Sequence, residues 1–186
     1  MTYIERPASF YDKSWKEGGW KLPELIPRHD YAIAELKRLG VKTILDIGCG
    51  VGEFLSLCQD RDFICYGFDF SSVAIEICMR RNGLENVWIG NALDKKNYVG
   101  KYDAYLAIEV LEHITQDLDV IGNLKPNIPF IFSLPCWATP DGSHVRCFRS
   151  DAEIMQRYEK VVDIKSIKRF GTRRVVIAST IKRKSK

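Results

Sequence analysis

The chain of 186 residues has the length of one domain and is long enough to bury a single hydrophobic core. Its composition, 46% hydrophobic and 28% charged residues, excludes disordered, collagen-like and coiled-coil proteins. The net charge of +4 is too small to predict a nucleic-acid or membrane partner by itself. Nine basic residues and no acidic one lie between Lys165 and the end, so an acidic body precedes a basic tail.

The cysteines and the N-terminus indicate the compartment. The six cysteines form no C-x-x-C pair and several stand among apolar residues, which is typical of buried free thiols in a reducing cytosol. The N-terminus has no apolar signal segment, and no apolar run is long enough to span a bilayer. We therefore expect a cytoplasmic protein with no membrane span.

The first 40 residues are predicted to form a cap segment ahead of the core. They carry an aromatic patch, broken by two glycines, and then a helix over about residues 28–39. Glycines allow this segment to move, and large aromatic side chains exclude water. The patch is therefore a candidate lid over a ligand. Packing against the sheet edge is the alternative. The patch consists of Phe10, Tyr11, Trp15 and Trp20, and the glycines are Gly18 and Gly19.

Short apolar runs alternate with helical periods from residue 41 onward. Five runs rich in β-branched or aromatic residues predict strands at 41–47, 63–68, 86–89, 102–108 and 128–134. A helix is predicted at 72–82, where apolar residues recur at helical spacing after a capping serine. This alternation predicts a parallel sheet with helices on both faces. Residues 161–170 and 173–181 then predict an antiparallel hairpin that turns at Gly171 and Thr172.

Three glycines follow the first predicted strand. Gly48, Gly50 and Gly52 lie between that strand and a helix that starts near Glu53, so the backbone turns tightly and a ligand can approach it closely. Asp69 ends the next strand, where it can accept hydrogen bonds from ribose hydroxyls. The pattern therefore predicts a cofactor that contains a nucleoside.

The charges around these glycines narrow the choice of cofactor. A dinucleotide-binding loop would have its third glycine at position 53, and the carboxylate of Glu53 would repel a pyrophosphate there. Asp46 adds a second carboxylate two residues before the glycines. A cofactor with an ammonium group and no phosphate, such as S-adenosylmethionine, suits these carboxylates better.

At this point the sequence resembles the class I S-adenosylmethionine-dependent methyltransferases, over roughly residues 41–181. The family's first motif matches LDIGCGVGEF, and its acidic residue after the second strand matches Asp69 in GFDFSS. Asn91 and Ala92 in IGNALD stand where the family usually has Asp-Ala, and residues 109–113 look like the E-V-L-E-H of the ubiquinone-biosynthesis type O-methyltransferases. The resemblance implies an α/β fold, Rossmann-like and doubly wound, with a mostly parallel seven-stranded sheet and a C-terminal antiparallel β-hairpin. Residues 182–186 then form a basic tail.

The resemblance also implies which residues bind S-adenosylmethionine. Asp46 and the glycine loop would hold the methionine part, Asp69 the ribose, and residues 70, 91 and 92 the adenine. The amide oxygen of Asn91 would accept a hydrogen bond from the adenine amino group. The full predicted set is Asp46, Gly48, Cys49, Gly50, Gly52, Asp69, Phe70, Asn91, Ala92 and Glu109.

His113 and His144 are the catalytic candidates, because both follow strands whose carboxyl ends meet at one edge of the sheet. Together with Glu109 and Glu112 they form a candidate site for Mg²⁺ or Mn²⁺, which would lower the pKa of a bound hydroxyl. The pattern looks like the metal site of terminal RNA 2′-O-methyltransferases and some quinone O-methyltransferases. In the metal-free alternative, Glu112 caps or salt-bridges the helix start, His113 packs beneath the cofactor and His144 is the general base.

The sequence therefore predicts methyl transfer to a hydroxyl or amine of a small metabolite. An RNA methyltransferase is the first alternative, favoured by the basic tail and by the ExxEH pattern of residues 109–113, and a non-catalytic subunit that keeps the fold is the second. His29 is interpreted as a surface or packing residue. Trp137 and Arg146 are candidates for the acceptor pocket, with core packing and an ion pair to Asp141 as their respective alternatives.

Overall fold

Five short runs of β-branched and aromatic residues form the parallel strands of one sheet, and the final hairpin completes it. A computed structural model describes residues 4–18, 27–137 and 142–182. The strands are β1 (Thr43–Ile47), β2 (Ile64–Asp69), β3 (Val87–Ile89), β4 (Ala104–Ile108), β5 (Pro129–Pro135), β6 (Val162–Phe170) and β7 (Arg173–Thr180). The α-helices are α1 (Ala8–Lys16), α2 (Pro27–Arg38), α3 (Glu53–Gln59), α4 (Ser72–Asn82), α5 (Asp117–Gly122) and α6 (Asp151–Tyr158).

The sheet has the strand order β3-β2-β1-β4-β5-β7-β6. Strands β1 to β5 are parallel, whereas β7 pairs antiparallel with β5 and with β6. The predicted mostly parallel seven-stranded sheet with a closing antiparallel hairpin is therefore confirmed. The strand order reverses between β1 and β4, and open α/β sheets bind ligands outside the carboxyl ends of the strands at such a point.

Residues that alternate along each strand face two separate hydrophobic cores. On β1, Ile44 packs with apolar side chains of α2, α3 and α4, whereas Leu45 packs with those of α5 and α6 on the other face. This period of two follows from the pleat of a strand. Helices therefore cover both faces of the sheet, as the alternation of strands and helices predicts.

The fourth helix shows how local sequence sets an element's limits. The Ser71 hydroxyl accepts a hydrogen bond from the Ala74 amide at 3.1 Å, and this N-cap starts α4 at residue 72. Gly83 then takes a left-handed conformation with φ of +60° and ends the helix. The predicted helix at 72–82 is confirmed at both ends.

Some of the predictions concern residues outside the described ranges. Within the described residues, no helix is long and apolar enough to cross a membrane. Of the predicted basic tail, only Lys182 lies inside the described residues. Gly19, Trp20 and Asp141 also lie outside them, so the parts of the lid and ion-pair predictions that depend on these residues remain predictions.

Candidate functional site

A cavity of about 970 Å³ lies at the carboxyl ends of the parallel strands. Loops after β1, β2, β3 and β4 form its floor and walls, and α1 and the start of α2 close it. Nine of the ten residues in the predicted cofactor-binding set line it, the exception being Gly52. Both predicted catalytic histidines line it as well. Its volume is at the upper end for small-molecule sites.

The glycine loop after β1 takes a backbone conformation that side chains would oppose. Gly48, Gly50 and Gly52 have φ of +68°, +55° and +80°, in the left-handed region. A Cβ on Gly52 would lie 2.3 Å from the Sγ of Cys78, and one on Gly48 would lie 2.8 Å from a methyl of Val110. The Gly52 residue therefore shapes the loop from beneath the cavity, whereas Gly48 and Gly50 border the cavity itself.

Two buried carboxylates flank this loop. Burial, and then the charge of Asp69, raise the pKa of Asp46 to about 8, and the Oδ1 atom of Asp46 has no hydrogen-bond partner. Burial also raises the pKa of Asp69, although its oxygens accept hydrogen bonds from the Gly50 and Ser71 amides at 3.0 and 2.8 Å. Since a carboxylate has about four acceptor sites, Asp69 keeps capacity for ribose hydroxyls.

The predicted adenine residues lie beside these carboxylates in the cavity wall. The Phe70 ring is 5.1 Å from the ring of Tyr11 on α1, so an apolar slot forms between α1 and the end of β2. The Asn91 Oδ1 atom already accepts a hydrogen bond from the Leu93 amide at 2.9 Å. One of its lone pairs is therefore used locally, and the exposed amide of Asn91 keeps a second lone pair and its NH₂ group for a ligand.

Glu112, His113 and His144 form a compact cluster, of which His113 and His144 line the other end of the cavity. One ligand atom of each lies within 4.8 Å of the others, and the two imidazole centroids are 4.7 Å apart. Glu112 is fully buried and neither of its oxygens has a hydrogen-bond partner. Burial, and then the nearby charge of Glu109, raise the pKa of Glu112 well above its ordinary value. Nε2 of His113 lies 3.9 Å from Oε1 of Glu112, within ion-pair distance when the imidazole is protonated.

Glu109 is the one predicted metal ligand that the structure keeps apart from this cluster. Its carboxylate pairs with Arg173 Nε at 2.7 Å and accepts a hydrogen bond from the Ser133 hydroxyl at 2.7 Å. Arg173 on β7 therefore already partners the Glu109 carboxylate, and the metal site itself remains a prediction. Glu109 still lines the cavity, with φ of +57° at the end of β4.

Backbone carbonyls set the tautomer of both histidines. Nδ1 of His113 lies 3.0 Å from the Ser143 carbonyl oxygen, and Nδ1 of His144 lies 3.1 Å from the Trp137 carbonyl oxygen. A carbonyl oxygen only accepts hydrogen bonds, so each neutral imidazole carries its proton on Nδ1 and a lone pair on Nε2. Metal-binding histidines commonly have this second hydrogen bond to a carbonyl or carboxylate.

Arg28 and His29 are site residues that the sequence analysis missed. Both line the cavity, Arg28 is only 6% exposed, and Arg28 Nε and His29 Nε2 have no hydrogen-bond partner. Burial, and then the charge of Arg28, lower the pKa of His29 to about 4, and its ring packs 4.9 Å from that of Phe54. Of the two interpretations of His29, a surface or a packing residue, its burial and its contact with Phe54 agree with packing. A signal was present, because residues 28 and 29 fall on the apolar face of α2 that Ala32, Ile33 and Leu36 define.

The cap helix α1 contacts both ends of the cavity. The Tyr11 hydroxyl lies 3.2 Å from Nδ1 of His113, and a Cβ on Gly50 would lie 3.4 Å from the Trp15 ring. Asp12 accepts a hydrogen bond from the Ser71 hydroxyl at 2.6 Å, which ties α1 to α4. Two members of the aromatic patch, Tyr11 and Trp15, thus line the cavity, and the lid remains a prediction.

The two acceptor-pocket candidates differ in position. Trp137 lines the cavity, with its ring 5.8 Å from that of His144. Arg146 is absent from the cavity wall and pairs with the buried Asp117 at 3.1 Å. The prediction that Arg146 lines the acceptor pocket is therefore wrong, because the guanidinium turns toward α5.

Comparisons with known proteins agree with this geometry. Residues 23–156, more than half of the chain, match the sequence model of a family described as a methyltransferase domain. The chain is 29% identical over 138 residues to a ubiquinone biosynthesis O-methyltransferase from Histophilus somni, covering 65% of this chain and 58% of that protein. It is 28% identical over 154 residues to the protein of the same name from Pasteurella multocida, covering 68% and 63%. The chain thus spans about three fifths of the length of these curated relatives.

Solved structures show the same fold. Magnesium protoporphyrin IX methyltransferase from Synechocystis PCC 6803, solved with bound SAH, superposes with a TM-score of 0.66 at 16% identity, covering 92% of this chain and 94% of that one. At this identity the likeness concerns the fold alone, and the family assignment comes from the sequence match over residues 23–156. The chain therefore belongs to the class I S-adenosylmethionine-dependent methyltransferase family.

Proposed function

We propose that the chain transfers a methyl group from S-adenosylmethionine to a hydroxyl of a small molecule, with a divalent cation held by Glu112, His113 and His144. The observation that carries this proposal is that one cavity is lined both by the glycine loop and by His113 and His144, and that the buried Glu112 lies beside these two histidines. The names of the two curated relatives, both O-methyltransferases, support oxygen as the acceptor atom.

The residues at the glycine end fit S-adenosylmethionine, which has an ammonium, a carboxylate and a ribose. Asp46 offers a buried unpartnered oxygen to the ammonium, and Asp69 offers its remaining lone pairs to the ribose. Arg28, a buried guanidinium whose Nε has no hydrogen-bond partner, faces the same cavity and can bind the carboxylate. When bound, S-adenosylmethionine supplies a methyl group on a sulfonium, which is transferred by in-line displacement. The chain's part is to orient the two reactants and, through α1, to exclude water.

The residues at the other end fit a divalent cation. A fully buried carboxylate without hydrogen bonds is costly unless a cation or proton satisfies it, and one ring nitrogen of each histidine lies within 4.8 Å of a Glu112 oxygen. A mixed set of imidazole and carboxylate ligands suits Mn²⁺, and three ligands leave coordination positions for an acceptor oxygen. A bound divalent cation lowers the pKa of a hydroxyl that it contacts.

The metal-free alternative uses the same atoms differently. The Nε2 lone pair of His144 or His113 would then remove the acceptor's proton directly as a general base. Both versions place the acceptor between the cluster and the glycine loop. They differ in what chelation does to the reaction.

The test is a methyl-transfer assay with radiolabelled S-adenosylmethionine and a panel of hydroxylated aromatic compounds, with RNA as a separate arm. We expect transfer to a small hydroxylated compound, loss of activity after chelation, and recovery on addition of Mn²⁺. His113→Ala and Glu112→Gln are expected to lower turnover by at least about 100-fold while S-adenosylmethionine still binds.

Three outcomes would contradict parts of this proposal. If activity survives exhaustive chelation and neither Mn²⁺ nor Mg²⁺ stimulates it, the cation site is wrong and the version with a histidine general base stands. If methyl groups are transferred to RNA and to none of the small compounds, the acceptor is RNA and not a small molecule. A chain that does not bind S-adenosylmethionine in calorimetry is a non-catalytic member of the family.

A further inference from the structure

The Glu112 cluster comes from two segments that are distant in sequence. Glu112 and His113 lie on the 3-10 helix Leu111–His113, whereas His144 lies on the loop after β5. The ligand atoms converge only if these two segments keep a fixed separation. The Val145 amide gives one link, a hydrogen bond of 2.8 Å to the Glu112 carbonyl oxygen.

The Arg146 side chain supplies the stronger link. From the loop that carries His144, its Nη1 donates to the carbonyl oxygens of Leu111 and Ile114 at 2.9 and 2.5 Å. Its Nη2 donates to the Thr115 carbonyl oxygen at 2.9 Å. The guanidinium therefore binds carbonyls on both sides of the Glu112–His113 pair and ties this turn to the His144 loop.

A buried carboxylate orients this guanidinium. Asp117, the first residue of α5, is fully buried and lies 3.1 Å from Arg146 Nη1. The same carboxylate pairs with Arg157 at 2.6 Å and accepts the Tyr158 hydroxyl at 2.8 Å. Because a guanidinium is planar with fixed donor directions, the Asp117 contact fixes where the other donors of Arg146 point.

We propose that Arg146 is a positioning residue that sets the distance between Glu112–His113 and His144, and thereby the affinity of the cluster for a divalent cation. This inference rests on the proposed cation site. A lysine at this position keeps the positive charge beside Asp117, but its single ammonium lacks the fork that binds three carbonyls at once. Arg146 is absent from the cavity wall, so its effect is on the ligands and not on the substrate.

The test compares Mn²⁺ binding, measured by electron paramagnetic resonance, in the full chain and in two lysine variants. Arg157→Lys is the matched control, because Arg157 pairs with the same Asp117 and, among the described residues, gives no hydrogen bond to the turn. We expect Arg146→Lys to weaken Mn²⁺ binding by about 10- to 100-fold, as loss of outer contacts to metal ligands commonly does. S-adenosylhomocysteine affinity should change less than about twofold, and Arg157→Lys should change neither quantity.

Kinetics give a readout that general destabilisation would not produce. In Arg146→Lys, saturating Mn²⁺ should restore most of kcat, because the ligands are present but less well placed. Arg146→Gln, which keeps two N–H donors without the charge, serves as a second variant if the lysine variant does not fold.

Equal Mn²⁺ affinity in the wild type and in folded Arg146 variants would overturn the inference and leave the proposed cation site standing. An equal loss in Arg157→Lys would also overturn it, since Asp117 alone would then be responsible. If the wild type binds Mn²⁺ no better than Glu112→Gln, the cation site itself fails and the inference fails with it.

Discussion

Buried polar atoms without hydrogen-bond partners collect in and beside the cavity. Asp46, Glu53, Arg28 and His29 line it, and Glu112 lies next to the lining residues His113 and His144. Leaving such a group unsatisfied costs about 1–3 kcal/mol, and native proteins contain few of them. Their charges are separated in space. Carboxylates lie at the glycine loop and beside the two histidines, whereas the positive charge of Arg28 lies on α2. The arrangement fits a ligand that carries both charges together with a separate cation.

Asp46 gives a prediction at the residue scale. Its pKa of about 8 in the ligand-free protein means that the carboxyl holds a proton at neutral pH. A ligand ammonium binds the ionised form, so below about pH 8 binding must release this proton, and affinity should rise up to about tenfold per pH unit. Above the pKa the dependence should disappear.

Calorimetry of S-adenosylhomocysteine binding between about pH 6 and pH 9 measures this effect. Asp46→Asn is the comparison, because it removes the titrating group while the ligand's own titration is unchanged. Binding in the variant should be weaker and should lack the added slope. Parallel pH profiles in the two proteins would show that Asp46 does not face the ammonium.

At the element scale, the loop between β1 and α3 is the part most constrained by its residues. Gly50 has φ of +55°, and a Cβ there would contact the Trp15 ring of the cap helix at 3.4 Å. Gly40, with φ of +68°, has nothing within 4 Å and lies at the opposite end of β1. The two glycines have the same backbone conformation in different surroundings.

We therefore expect Gly50→Val and Gly40→Val to lower stability similarly, by roughly 1–2 kcal/mol for a side chain in the left-handed region. Only Gly50→Val should also lower S-adenosylhomocysteine affinity, by at least about tenfold, because its methyl groups enter the space between the loop and Trp15. Thermal unfolding and calorimetry measure the two effects. Equal loss of affinity in both variants would mean that strain, and not the filled space, is responsible.

Local signals explain how far the sequence predicts these elements and where it stops. Period-two alternation, the Ser71 cap and the glycines specify β1, α4 and the loop, since each depends on neighbouring residues. The pairing of Glu109 with Arg173 joins residues 64 positions apart, and the sequence holds no local signal for it. For Arg28 the apolar face of α2 indicates burial, but its position in the cavity depends on where α2 packs, which no local pattern specifies.

At the scale of the whole molecule, the negative and positive charges of the chain lie in different regions. The acidic body contains the carboxylates of the cavity, whereas Lys165, Lys168 and Arg169 are exposed on β6, the outer strand of the sheet. Lysine and arginine on an edge strand discourage pairing with other chains. Lys168 also lies over the ring of Tyr31 at 4.3 Å. This placement accounts for the basic residues of the hairpin without a nucleic-acid partner.

The proposed function depends most on a cation held by Glu112, His113 and His144. Anomalous diffraction from crystals grown with S-adenosylhomocysteine and Mn²⁺ tests it directly. We expect one Mn²⁺ peak bound by a Glu112 oxygen and by Nε2 of His113 and His144, with S-adenosylhomocysteine along the glycine loop beside Asp46. A structure with S-adenosylhomocysteine in that place and Glu112 hydrogen-bonded to an imidazole without Mn²⁺ would contradict it.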